Sequence, residues 1–170
     1  MEKKEEYFKE LETNELLTRP MYLASVAIAK THPITYVTGV IKNQFGLLPR
    51  KRKIFYHPED NSTDFNNVIV DLARFLTPDL CIVDAIVGME DVIHGRLRRV
   101  NAMIVGKKPA SVDATMARIM GFEPEKIRHL VEAEKHGLGS LHPETVGERI
   151  ESVTVQFKPT GSPRPKALVA

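Results

Sequence analysis

The stretch "AKTHPITYVTGVIKNQFGLLP", Ala29 to Pro49, concentrates side chains that can hold charge and move protons. Lys30 and Lys42 are cationic, Thr38 and Gly39 stand where a helix would begin, and Asn43 adds an amide. A helix N-terminus presents free backbone N–H groups, so this set suits an anion such as phosphate or carboxylate. His32 in "THP" and His57 in "YHP" are the candidates for acid–base work, because imidazole titrates near neutrality. Asp84 closes the apolar run "DLCIVD", where a carboxylate must be paired, hydrogen-bonded or bound to metal. Asp113 falls in the first turn of a helix, where an acid also favours the helix dipole. Together the two aspartates could orient a histidine or hold a divalent metal. Each residue also has a purely structural explanation: a capped polar loop, a paired buried acid, a dipole contact. The residue types alone leave these open.

Several chemistries find no support. There is no G-x-x-x-x-G-K-[ST] loop, no G-x-G-x-x-G, no H-E-x-x-H and no cysteine-rich ligand set. The basic run "RKRK" at 50–53 lacks interleaved aromatics and a long basic face, which disfavours nucleic acid. His129 and His136 are expected on or near a polar helix face, in contact with solvent.

The elements that must position these residues are read from periodicity. Residues 1–20 form a charged N-terminal helix (2–17) followed by Thr18-Arg19-Pro20, because proline disfavours helix in the residue before it. Residues 21–157 form a single α/β domain, and 158–170 a loose proline-rich tail. "MYLASVAIA" is an apolar run suited to a strand covered on both faces. Thr38 is expected to cap a short helix ended by Gly46. "STDFNNVIVDLARFL" has apolar residues at helical spacing. "DLCIVDAIVGM" and "VNAMIVG" read as strands, "PASVDATMARIMGF" and "EPEKIRHLVEAEKHGLG" as helices, and "ESVTVQF" as a final strand. Strands alternating with helices predict a three-layer α/β fold, a mostly parallel sheet with helices on both faces. Ligands of such sheets bind beyond the carboxyl ends of the strands, which would gather Lys30, His32, Asp84 and Asp113 on one rim.

The 170 residues carry a net charge of +2, 42% hydrophobic and 27% charged residues, and one cysteine, Cys81. This is a globular composition with no disulfide framework, and it points to a reducing, cytoplasmic setting. No apolar run reaches the ~18 residues of a membrane span, so no membrane partner is expected.

Taken together, "AKTHPITYVTGVIKNQFGLLP", "KRKIFYHP", "IVDLARFLTPDLCIVDAIVGMED", "GRLRRVNAMIVGKKPASVDATMARIMGFEP" and "HGLGSLHPETVGERIESV" resemble domain-of-unknown-function family 362, from about Leu23 to Phe157. The family's K-T-H falls on Lys30-Thr31-His32, its T-G on Thr38-Gly39, and its K-N-x-x-G on Lys42-Asn43 with Gly46. The histidine before its first long helix falls on His57, its strand-end aspartate and glycine on Asp84 and Gly88, and its V-D-A on Val112-Asp113-Ala114. Members occur alone or joined to ferredoxin-type iron–sulfur modules. Here the iron–sulfur cysteines are absent, so no cluster is expected in this chain. The family's glycine-proline loop falls here on Asp91-Val92-Ile93-His94, and the resemblance leads to the expectation that one charged helix stands in place of the family's usual upstream α/β portion.

Two readings follow. In one, a strand-end site holds a small anionic molecule, with His32 or His57 as acid or base and possible help from a divalent metal. In the other, the chain is a non-catalytic binding or assembly module associated with redox proteins. A sheet edge or face left open by the missing portion would make the chain a homo-oligomer or the partner of a separate subunit.

Overall fold

The computed structural model describes residues 17, 19, 21–56, 64–91 and 95–160. The expected helix at 2–17, His57, most of the Asp91–His94 segment and most of the 158–170 tail lie outside the described residues.

Among the described residues four strands form one sheet in the order β2-β1-β3-β4: β1 (Ala24–His32), β2 (Tyr36–Thr38), β3 (Leu80–Glu90) and β4 (Arg96–Gly106). Only β1 and β3 run parallel; β1–β2 and β3–β4 are antiparallel. The sheet is therefore mixed, not mostly parallel. The reason is chain length. Residues 91–95 alone link β3 to β4, and a parallel return needs a crossover of about a dozen residues or more. The parallel β1–β3 pair has such a crossover, containing α1 (Val40–Asn43), α2 (Arg50–Tyr56) and α3 (Phe65–Phe75). After β4 come α4 (Pro109–Ile119), α5 (Arg128–Lys135) and α6 (Ile150–Val153).

Burial alternates along β1. Ser25, Ala27 and Ala29 are buried, while Val26 and Ile28 are 59% and 52% exposed. The small residues on the covered side let helices approach the sheet. α4 packs against β3 and β4, and α1 against β1 and α4. The core joins Cys81, Val83 and Ala85 of β3 to Val68, Ile69 and Leu72 of α3 and to Ala114, Met116 and Ala117 of α4. The opposite face carries Val26, Ile28, Ile86, Met103 and Val105, all exposed. Cover on both faces, expected from the apolar strands, is not what the burial pattern gives.

Three local features go beyond or revise the sequence reading. Basic residues 50–53 begin α2. "ESVTVQF" forms no strand: α6 ends at Val153, and the chain then runs irregularly, with Val155 and Phe157 donating to the carbonyls of Ile119 and Met120. α5 follows a short 3-10 turn at Pro124–Lys126, and Gly137, at φ +75°, lies just beyond its end. A left-handed residue there is the usual close of a helix.

Candidate functional site

β1 and β2 form a tight hairpin whose turn is organised by His32. Its Nδ1 accepts hydrogen bonds from the amides of Ile34 (3.2 Å) and Thr35 (3.4 Å). The ring is buried and stacks on Phe65 at 6.4 Å. An Nδ1 that accepts from the backbone places the neutral ring's proton on Nε2. After β2 the chain turns into α1 and runs back beside β1. There Asn43 Nδ2 donates to Ser25 Oγ (2.9 Å) and to the Val26 carbonyl (3.2 Å). The side chain thus ties α1 to the otherwise unpaired edge of β1.

Between α1 and this edge lies an open groove of about 450 Å³, lined by Lys30, Thr38, Gly39, Lys42, Asn43 and Lys53 with apolar Val26, Ile28 and Phe45. Lys30, Thr38, Gly39, Lys42 and Asn43 thus line one groove, joined by Lys53 of α2, while His32, Asp84 and Asp113 do not line it. The site runs along a strand edge, not beyond the strand ends. β4 is antiparallel to its neighbour, and Gly106 pairs with Cys81 at the start of β3, at the opposite end of the sheet from His32. A shared carboxyl-terminal rim therefore does not exist.

Asp113 sits directly behind the groove. Its carboxylate accepts from the amides of Val40 (2.7 Å) and Ile41 (2.9 Å) and is fully buried. The N-terminus expected to bind an external anion is thus filled by the protein's own carboxylate. Gly39 is required by this contact: a Cβ there would lie 2.2 Å from Asp113 Oδ1. Its φ of −153° is ordinary extended backbone, so space, not conformation, selects glycine. Burial pushes the Asp113 carboxyl up to about 7, against the two amide bonds that favour ionisation. Thr38 is not the helix cap; Gly39 holds that position, and Thr38 Oγ1 points to the carbonyls of Ile28 and Lys30, each 3.4 Å away.

Asp84 is elsewhere. β3 continues to Glu90, so Asp84 lies mid-strand on the open face, between Ile28 of β1 and Met103 of β4. Its Oδ1 accepts from the Ile86 amide at 2.9 Å, at the register shift between Ala85 and Val87. It supplies a partner where the ladder is interrupted. Gly88, assigned beside it, is buried against Phe157 and the Ala29 carbonyl.

His129 was missed. Instead of facing solvent it is fully buried, and neither ring nitrogen has a hydrogen-bond partner. Burial first, then the Lys42 charge and the His32 ring when it is protonated, push its pKa down to about 3. Lys42 is itself half-buried, with Nζ 5.4 Å from the Phe65 ring centroid. Its pKa is lowered by burial and then by Lys30. Among the described residues, no group of three or more His, Cys, Asp or Glu is arranged to hold a metal ion.

The fold and groove define a small α/β protein with a cationic cleft at a strand edge. Over residues 1–118 the sequence matches the family described as Domain of unknown function (DUF362), and the chain belongs to that family. The match starts upstream of Leu23 and stops before the "HGLGSLHPETVGERIESV" segment. The thylakoid-associated protein sll1697 of Synechocystis sp. is 29% identical over 113 residues, covering 64% of this chain and 35% of that protein. The chain thus spans about a third of the length of this relative. No solved structure matches the chain. Among the described residues no helix is long and apolar enough to cross a membrane.

Proposed function

We propose that the groove beside β1 binds a small anionic group, phosphate or carboxylate, between Lys30, Lys42 and Lys53. One observation carries this reading: three lysines line one groove, and among the described residues no carboxylate lines it with them. Among the described residues none of the three ammonium groups is in an ion pair. Clustered cations oppose one another: the Lys42 pKa is lowered first by burial and then by the neighbouring charge of Lys30. An anion between them relieves that repulsion. Recognition is by charge, because Asp113 already holds the amides of Val40 and Ile41. His32 does not line the groove, so the geometry supports binding ahead of acid–base chemistry.

Phosphate, compared with chloride at matched ionic strength, is expected to raise the melting temperature. A ligand specific for the native state at ten times its dissociation constant adds about 1.4 kcal/mol, a shift of roughly 2–6 °C in a domain of this size. Lys42→Ala should lose most of that shift while its unliganded stability changes little, and Lys107→Ala should keep it. Equal protection of wild type and Lys42→Ala by phosphate would rule the site out.

A further inference from the structure

We infer that the open face of the sheet is a self-complementary interface for a second copy of this chain. Strand pairing fixes what the face presents. Val26 and Ile28 of β1, Ile86 of β3, and Leu97, Met103 and Val105 of β4 are all exposed. Registers Val26↔Ile82↔Val105 and Ile28↔Asp84↔Met103 place four of these side chains in two rows across three strands, with Ile86 at the register shift beside them and Leu97 farther along, paired with Met89. An apolar surface continuous over three strands is the kind that associates in water.

The charges on the face select the occupant. Asp84 stands in the middle row, and among the described residues its carboxylate takes one hydrogen bond, the local one from the Ile86 amide. Arg99 pairs with Val87 farther along the same face; both are exposed. Among the described residues Arg99 makes no ion pair. Whatever covers the face must be apolar, bring a cation to Asp84 and bring an anion to Arg99. The face itself meets all three conditions. In a twofold pair, residue i meets j and j meets i. An axis near Ile86, between Asp84 and Arg99, sets each carboxylate against the other copy's guanidinium. The sheets then pack as a sandwich, ~10 Å apart. An axis through Asp84 would oppose like charges, so the pairing fixes the register as well as the partner.

Sedimentation of the full chain from about 1 to 200 μM tests this, with charge reversal at both positions. Wild type should pass from monomer to dimer in that range. Asp84→Lys and Arg99→Asp should each weaken the dimer at least tenfold, and the double variant should restore it to within about threefold. Because Asp84 also supports the strand irregularity, Met103→Lys serves as a second disrupting variant, and Lys135→Glu, on α5, which packs on α3 and α4 and not on the sheet face, should leave the dimer intact. A monomer at every concentration overturns the inference. So does a dimer that Arg99→Asp and Met103→Lys leave unchanged, or a double variant no tighter than the weaker single. Phosphate protection is read separately on the Arg99→Asp protein, so failure of the groove and failure of the interface are distinct results.

Discussion

Asp113→Ala is expected to destabilise the protein by about 2–4 kcal/mol, read as a fall in the urea midpoint at constant slope. The carboxylate is the partner of two buried amides, those of Val40 and Ile41, at 2.7 and 2.9 Å. Leaving a buried donor unpaired costs about 1–3 kcal/mol. Relief from burying the carboxylate itself offsets part of the sum. Gly39→Ala should be comparably harmful in the wild type, because its Cβ would fall 2.2 Å from Asp113 Oδ1. Overpacking of this kind typically costs about 1–3 kcal/mol. The two effects have one cause, so they should not add. With Asp113 already Ala, Gly39→Ala should cost under about 1 kcal/mol, a coupling of the size found for residues in contact. Additive losses would mean that Gly39 is required for some reason other than the carboxylate behind it. The same pair explains why a four-residue helix, with no side-chain cap of its own, holds a fixed position: Asp113 of α4 anchors its start.

The groove was legible because its residues are close in sequence. Lys30, Thr38 and Lys42 fall on a strand, its hairpin return and the next turn, so any hairpin at Pro33–Tyr36 brings them together. Asp113 was legible as a special residue but not in its role, since its partners lie 72 and 73 positions away. The antiparallel β4 had a signal that strand–helix alternation overrode: the segment 91–95 is too short for a crossover. Val26 and Ile28 read as doubly covered because Ala27 and Ala29 beside them are apolar too. Composition cannot say which of two apolar faces receives helices. His129 was hidden by its charged neighbours in "EKIRHLVEAEK". Only the packing of α5 on α3 and α4 turns that position inward.

Replacing His129 by Leu should expose a pH dependence that the wild type conceals. His129 is buried as a neutral ring, its pKa pushed from 6.5 down to about 3. The unfolded chain binds its proton first, so this residue makes the native state lose stability as pH falls from about 6.5 toward 3. Asp113 acts oppositely. Its carboxyl is pushed from 3.8 up to about 7, so the native state holds the proton longer. Its contribution rises as pH falls from about 7 toward 4, and that stability is lost again as pH rises through 7. Each pKa unit is worth ~1.4 kcal/mol, so between pH 6.5 and 4.5 the two slopes are each about 3 kcal/mol and cancel. Wild type should therefore show little change from this pair in that range. His129→Leu leaves the Asp113 slope alone and should gain about 3 kcal/mol on acidification. It also removes two unpartnered buried nitrogens, so its stability at pH 7 should equal or exceed wild type. Asp113→Asn leaves the His129 slope and should lose a similar amount over the same interval. Urea denaturation of the three proteins at half-unit pH steps measures this. Parallel profiles for both variants and the wild type would show that neither group carries the burial assigned to it.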